Sequence, residues 1–176
     1  MSAQKPSRKE MDQLALSLGR VVITCSKLEH EMTMVIAEIL SLNEVQERGL
    51  VRPMGTSVKI TLLNRIARDY LTDEDCKRVT QITDQIKVAS EKRNDLVHGL
   101  YVHLAEKNAP AVLTFSGASR LKGKPMALSP RHLELFIVNL KWLSGELAAL
   151  RPLFPKLDKP PALRKSQTKR SGSKPA

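Results

Sequence analysis

Cysteine and aromatic residues are scarce in this sequence of 176 residues. Two cysteines, Cys25 and Cys76, are too few for a disulfide scaffold or a cysteine-rich zinc site. Aromatic residues make up only 3% of the chain, which argues against a sheet that stacks nucleic-acid bases. No apolar run reaches the roughly 18 residues of a membrane span, and the N-terminal segment has no signal-peptide stretch. We therefore expect a cytoplasmic protein with reduced cysteines and no membrane contact.

Motifs for metal or cofactor binding are also missing from the sequence. The four histidines and the scattered acids show no metal-ligand spacing such as His-Glu-x-x-His. There is no glycine-rich phosphate loop and no Gly-x-Ser-x-Gly elbow. We therefore expect neither a metal nor another cofactor.

Positive charge is in excess, and it is unevenly distributed. The chain has 29 Lys and Arg against 18 Asp and Glu, so its net charge is +11, which suits an acidic partner such as nucleic acid. Residues 155–176 are basic, poor in apolar residues and rich in Pro, Ser and Gly, which predicts a disordered tail. The tail either tethers nucleic acid non-specifically, through residues such as Lys165, Lys169 and Arg170, or only keeps the protein soluble.

Apolar periodicity predicts an all-α fold, a bundle of about four helices. Residues 11–42 carry two apolar rows that repeat every seven residues, which indicates a long helix packed lengthwise on another helix. Further helices are predicted at about 57–71, 72–99 and 129–154 from their apolar spacing, caps and stop signals.

Between the third and fourth helices the pattern becomes that of strands. Residues 101–105 and 111–116 predict a minor β-hairpin before the last helix. A basic loop follows, and its side chains Arg120, Lys122 and Lys124 are candidate RNA-binding residues.

The predicted domain organisation is simple, because the length suits one domain. A helical domain over residues 10–154 is preceded by a flexible segment at 1–9 and followed by the basic tail at 155–176.

The last predicted helix is apolar on two faces. Leu135, Val138 and Trp142 lie opposite the row that contains Leu133 and Leu140. Such a helix is covered on two sides, either by its own chain or by a partner. A homodimer is therefore expected.

One charge falls on the apolar stripe of the third helix. Arg93 follows Ile86 by seven residues and Val79 by fourteen. Because a buried unpaired charge is costly, Arg93 needs a partner or a ligand. Either it forms a structural ion pair with Glu29, the one charge in an apolar row of the first helix, or the bundle holds it for an anion.

The string Arg93-Asn94-Asp95-Leu96-Val97-His98 resembles the signature of the HEPN superfamily, which has an Arg, a polar residue, variable positions and a His. The resemblance covers roughly residues 10–154. Many HEPN proteins are metal-independent ribonucleases of toxin–antitoxin, abortive-infection and phage-defence systems, whereas others are non-catalytic. The resemblance implies RNA as a partner, a homodimer, and an antitoxin or another defence-system protein as a further partner.

The resemblance also implies roles for individual residues. Arg93, Asn94 and His98 would be catalytic, with Glu29 holding Arg93 in position. Histidine suits acid–base catalysis near neutral pH, and the arginine fork binds the oxygens of a phosphate. Tyr101 is a possible regulatory residue, although the family's modified tyrosine lies two residues after the histidine and Tyr101 lies three after it.

The spacing of the motif presents a geometric difficulty. Positions 93 and 98 differ by about 140° around an ideal helix. Either the helix frays at His98, close to Gly99, or two chains share one site, as HEPN ribonucleases do. A third interpretation makes His98 a structural cation at a helix C-terminus.

Three functions therefore remain open. The first is a metal-independent endoribonuclease that cleaves single-stranded RNA or tRNA as a toxin or phage-defence effector. The second is a non-catalytic HEPN-like module that binds nucleic acid or a partner. The third is a helical partner-binding protein without nucleic acid.

Overall fold

A computed structural model describes residues 7–104, 109–113, 115–116, 120–121 and 126–154. The helices are α1 (Arg8–Ile39), α2 (Glu44–Gln46), α3 (Thr56–Tyr70), α4 (Asp73–His98) and α5 (Pro130–Ala149), with a π-helical turn at Glu47–Val51 and a 3-10 turn at Arg151–Leu153. The strands are β1 (Leu100–Leu104), β2 (Ala109–Leu113), β3 (Phe115–Ser116), β4 (Arg120–Leu121) and β5 (Met126–Ala127). The predicted all-α bundle with a minor β-hairpin is confirmed.

The start of α1 is fixed by a capping box. The Glu10 N–H donates to Ser7 Oγ at 3.3 Å, and the Ser7 N–H donates to the Glu10 carboxylate at 2.7 Å. The helix therefore begins at Arg8, two residues before the predicted domain boundary. The rest of the segment predicted to be flexible (1–6) and the predicted tail lie outside the described residues.

The core is built mainly from α1 and α5, which pack along each other. The predicted heptad rows of α1 are buried along most of its length, as are the leucines of the main α5 row. Two cross-links accompany this packing, because Arg20 pairs with Glu134 and Arg151 with Glu31. Removing one of the buried leucines, such as Leu140, should cost about 2–5 kcal/mol of stability.

The bounds of α4 follow from its sequence. The Thr72 hydroxyl accepts from the Asp75 N–H at 3.2 Å, and acidic residues fill the first turn, where they favour the helix dipole. At the other end the Gly99 N–H still donates to the Asp95 carbonyl at 3.0 Å. The helix is therefore unbroken through His98.

The β region is larger than predicted. The hairpin is present as antiparallel β1 and β2, with Tyr101 opposite Val112, but β5 adds a third strand to it. A second sheet pairs β3 with β4. Arg120 therefore lies in a short strand, where the sequence predicted a loop.

The second apolar face of α5 is exposed in the described part of the chain. Leu135, Val138 and Trp142 are exposed, whereas the opposite row is buried. Among the described ranges, no helix, including α5, is long and apolar enough to cross a membrane.

Candidate functional site

An open polar cavity of about 740 Å³ lies between the start of α3, the second half of α4 and one side chain of α1. Its volume is within the range of ordinary ligand pockets. The charged side chains that line it are four cations and three carboxylates: Arg52, Lys59, Lys87, Arg93, Glu29, Asp84 and Glu91. Asn94 lines it as well. The fold therefore brings together three predicted site residues, namely Arg93, Asn94 and Glu29.

The predicted contact between Arg93 and Glu29 is present. Arg93 Nη2 donates to Glu29 Oε1 at 2.6 Å, and Thr56 Oγ1 donates to the same oxygen at 3.0 Å. The Arg93 side chain keeps 25% of its exposure and that of Glu29 keeps 35%. The pair is thus half-buried, and Arg93 still borders the cavity while it is paired.

His98 is not brought to this cavity. It is exposed on the last turn of α4 and is absent from the cavity lining. The interpretation that the helix frays at His98 is wrong, because α4 remains regular through that residue. In a regular helix, His98 is rotated from Arg93 by about 140° around the helix axis and displaced by about 7.5 Å along it. One chain by itself therefore does not assemble the two motif side chains in one place.

Lys59 is a cavity residue that the sequence analysis did not identify. It is only 5% exposed, and within the described part of the chain its ammonium makes no hydrogen bond or ion pair. Burial lowers the pKa of Lys59, while Glu29 and Glu47 oppose that shift. Its position carried a signal, because Lys59 precedes Leu63 by four residues on the apolar stripe of α3.

A second buried charge, Glu47, supports this end of the cavity. It lies in the π-helical turn, and its carboxylate accepts from Arg52 Nε at 3.2 Å and from Nη2 at 3.3 Å. The pattern of this segment is misleading, because Val45 and Leu50 are exposed while Glu47 is buried. Nothing in the sequence pattern would have predicted this arrangement.

The N-terminus of α3 opens at the same cavity. Its cap residue, Gly55, has no side chain to accept a hydrogen bond. The Val58 and Lys59 N–H groups donate to the Gly55 carbonyl, but the Thr56 and Ser57 N–H groups make no hydrogen bond within the described ranges. Free N–H groups at a helix start attract anions, since the positive end of the helix dipole lies there.

Cys25 lies in the core beside the ion pair, as its place in the α1 row predicts. Burial raises the pKa of its thiol to about 11, with Glu29 adding to the shift and Arg93 opposing it. A protonated, buried thiol is a poor nucleophile. We therefore assign Cys25 a packing role.

Tyr101, the predicted regulatory residue, is tied to the end of α4. Its hydroxyl donates to the Leu96 carbonyl, and burial raises the pKa of the phenol. Any modification of that oxygen would have to break this hydrogen bond. A regulatory role for Tyr101 remains a prediction.

The predicted RNA-binding residues are mostly outside the described chain. Arg120 belongs to β4, where only the backbone is described. The other five lie outside the described residues: Lys122, Lys124, Lys165, Lys169 and Arg170. Their role remains a prediction.

Within the described residues no three His, Cys, Asp or Glu side chains are grouped so as to hold a metal ion. Comparison with protein-family models, with curated proteins and with solved structures finds no match to this chain.

Proposed function

We propose that this protein is a metal-independent endoribonuclease of the HEPN type that cleaves single-stranded RNA or tRNA. The observation that carries the proposal is the placement of Arg93 and Asn94 at an open, polar cavity, with His98 exposed at the end of the same helix. Positive charge at a cavity favours a phosphate ligand, and an exposed histidine is accessible to an RNA strand.

The reaction needs no metal. The RNA 2′-hydroxyl attacks the adjacent phosphorus, a histidine accepts its proton, and the 5′-oxygen leaves with a proton from a second donor. Arg93 would neutralise the charge that develops on the non-bridging oxygens, and Asn94 would donate to phosphate or base. Glu29 would orient the guanidinium, since it already accepts from Arg93.

The proposal includes a homodimer. Because Arg93 and His98 of one chain point in different directions, a second copy would supply the histidine that completes each site. The exposed face of α5 supports such an interface, since Leu135, Val138 and Trp142 would be covered by it. Light scattering at tens of micromolar should give the mass of two chains, and Trp142→Asp should reduce it to one. A wild-type monomer would contradict this part of the proposal.

Cleavage is tested with matched histidine variants. His98→Ala should lower the cleavage rate by about 10²–10⁴-fold, the usual contribution of one acid–base group. His30→Ala is the control, because His30 is also exposed on a helix but lies outside the motif. Cleavage should persist in EDTA and leave a 2′,3′-cyclic phosphate. Loss of activity in EDTA, or full activity of His98→Ala, would refute the mechanism.

A specific observation favours a second candidate, a non-catalytic HEPN-like module that binds nucleic acid or a partner. Arg93 already has a carboxylate partner at 2.6 Å, and His98 of the same chain does not line the cavity. On this alternative the purified protein binds RNA without shortening it, and Arg93→Ala weakens folding more than binding. A gel that shows bound but intact RNA would decide for it.

In the cell, we propose that the protein acts in the cytoplasm as a toxin or phage-defence effector, held in check by an antitoxin or another defence-system protein. Expression of the wild-type chain should arrest growth, and His98→Ala should relieve the arrest. Arrest that persists in His98→Ala would separate toxicity from RNA cleavage.

A further inference from the structure

Two independent features of the cavity point to an anion. The first is the start of α3, where the Thr56 and Ser57 N–H groups have no partner within the described residues and Gly55 provides no capping side chain. Such a helix of 15 residues presents positive potential at its N-terminus. Unpaired N–H groups occur at the start of many helices, so this feature alone does not define a binding site.

The second feature is the ammonium group of Lys59. The side chain is 5% exposed, lines the same cavity, and has no hydrogen-bond or ion-pair partner in the described chain. Among the described residues, Arg151 Nε is the one fully buried side-chain nitrogen or oxygen that lacks a hydrogen bond. The Lys59 nitrogen therefore keeps contact with solvent, and it does so through the cavity that it lines.

The neighbouring carboxylates do not satisfy Lys59. Glu29 accepts from Arg93 and Thr56, both at Oε1, and Glu47 accepts from Nε and Nη2 of Arg52. These carboxylates attract the ammonium from a distance but make no direct ion pair with it. Burial costs the Lys59 ammonium part of its hydration, and a ligand that brings negative charge into the cavity would compensate for that loss.

We propose that the cavity binds a phosphate group at the N-terminus of α3, with Lys59 as its buried cation and the Thr56 and Ser57 N–H groups as donors. This inference rests on the proposed function: the phosphate belongs to an RNA strand and neighbours the phosphate that is cleaved. The site would fix the register of the strand, while Arg93 acts on the adjacent phosphodiester.

Phosphate fits better than a carboxylate for two reasons. Its oxygens can accept from several convergent donors at once, and here the two N–H groups are joined by the ammonium of Lys59. The cavity volume of about 740 Å³ also leaves room for the nucleoside attached to the phosphate. The four cations of the lining outnumber its three carboxylates, so the formal charge of the cavity wall stays positive.

The first experiment titrates inorganic phosphate into the full chain and follows backbone amide NMR shifts. The Thr56 and Ser57 amide signals should move and saturate. Lys59→Met should weaken phosphate affinity by about 10- to 100-fold, since a hydrogen bond to a charged group contributes that much. Lys77→Met is the control, because Lys77 is exposed on α4 and is not part of the cavity. The phosphate affinity of this variant should equal that of the wild type.

A second pair of variants tests the helix terminus without altering Lys59. Gly55→Asp adds a carboxylate that caps the free N–H groups and repels the anion, so phosphate affinity should fall about tenfold or more. Gly55→Ala is its control, because a Cβ at this position meets nothing within 4 Å and leaves the N–H groups free. Equal phosphate affinity in Gly55→Asp and Gly55→Ala would overturn the proposal, as would unchanged affinity in Lys59→Met.

The source of the phosphate is distinguished by two further ligands. A 2′-O-methyl oligoribonucleotide cannot be cleaved, and it should compete with inorganic phosphate and lose affinity in Lys59→Met. Adenosine 5′-monophosphate should bind more weakly than the oligomer if the site serves RNA. Tighter binding of the mononucleotide would support a phosphate site but would show that its ligand is a free nucleotide. The assignment of the site to an RNA strand would then be overturned.

Failure of this inference and failure of the proposed function give different results. Phosphate binding is measured without RNA cleavage, so a protein that binds phosphate through Lys59 but cuts no RNA would retain this site and lose the ribonuclease assignment. If the protein cuts RNA but its phosphate affinity is unchanged in Lys59→Met and is equal in Gly55→Asp and Gly55→Ala, the ribonuclease assignment is retained and the phosphate site is lost.

Discussion

The role of Arg93 can be tested through its energetic coupling to Glu29. A double-mutant cycle would combine Arg93→Met, which keeps most of the apolar stem, with Glu29→Gln, which keeps an oxygen that can accept from Thr56. The free energy of unfolding of the wild type, both single variants and the double variant would be measured in urea. The coupling energy isolates the contribution of the pair.

The structure sets the expected size of that coupling. The bond is short, at 2.6 Å, and both groups are charged, but each side chain keeps a quarter or more of its exposure. Exposed pairs contribute about 0–1 kcal/mol, and breaking a fully buried pair costs about 3–5 kcal/mol. We therefore expect a coupling of about 1–2 kcal/mol, which is about 2–8 °C in melting temperature for a domain of this size.

An exposed pair in the same chain supplies the control. Arg48 and Glu44 are paired one helical turn apart and are mostly exposed, so their coupling should not exceed about 0.5 kcal/mol. A coupling below about 0.3 kcal/mol for Arg93 and Glu29 would refute the reasoning, because the half-buried pair would then contribute no more than an exposed one. A coupling of that size would also leave Arg93 without its proposed positioning partner.

Three further predictions concern stability and binding. Because burial holds the pKa of Lys59 below 10.5, the unfolded chain binds its proton more tightly, so the Lys59 contribution to the free energy of unfolding should rise with pH up to about 10.5. The raised pKa values of Cys25 and Tyr101 act in the opposite direction in both proteins. The measured quantity is therefore the free energy of unfolding of the wild type minus that of Lys59→Met, which should rise with pH in urea titrations; a difference that does not change with pH would contradict this. At pH 8 a thiol reagent should modify Cys76 readily and Cys25 only after unfolding, since burial raises the Cys25 pKa to about 11; fast labelling of two thiols in the native protein would contradict this. Deleting residues 156–176 should leave thermal unfolding unchanged. It should also make the slope of the logarithm of RNA affinity against the logarithm of salt concentration less steep by about one unit for each lost phosphate contact. An unchanged slope would assign the tail to solubility.

The helical framework could be predicted because its signals are local or periodic. Thr72 and Gly99 bracket α4 at the predicted places, and the apolar rows of α1 and α5 are buried as their spacing requires. The ion pair between Arg93 and Glu29 was also predictable, since each charge stands alone in an apolar row and burial demands a partner.

The rest of the cavity depends on tertiary placement. Glu47 is buried by a short π-helical turn, and no heptad or capping signal marks that turn in the sequence. The free N–H groups of α3 form part of a candidate site only because α4 and Glu29 line a cavity in front of them. That arrangement depends on the tertiary structure. Lys59 is the exception: it occupies an apolar stripe as Arg93 does, and the same reasoning applied to both helices would have found it.

The pairing of α1 with α5 has a consequence for synthesis of the chain on the ribosome. About 90 residues separate the end of α1 at Ile39 from the start of α5 at Pro130. At about 5–20 residues per second, α1 waits about 5–20 s for the helix that covers its apolar rows. During that interval the nascent chain exposes a hydrophobic surface that chaperones bind. For a chain proposed to cut RNA, this order also delays folding of the bundle until translation of α5 is complete.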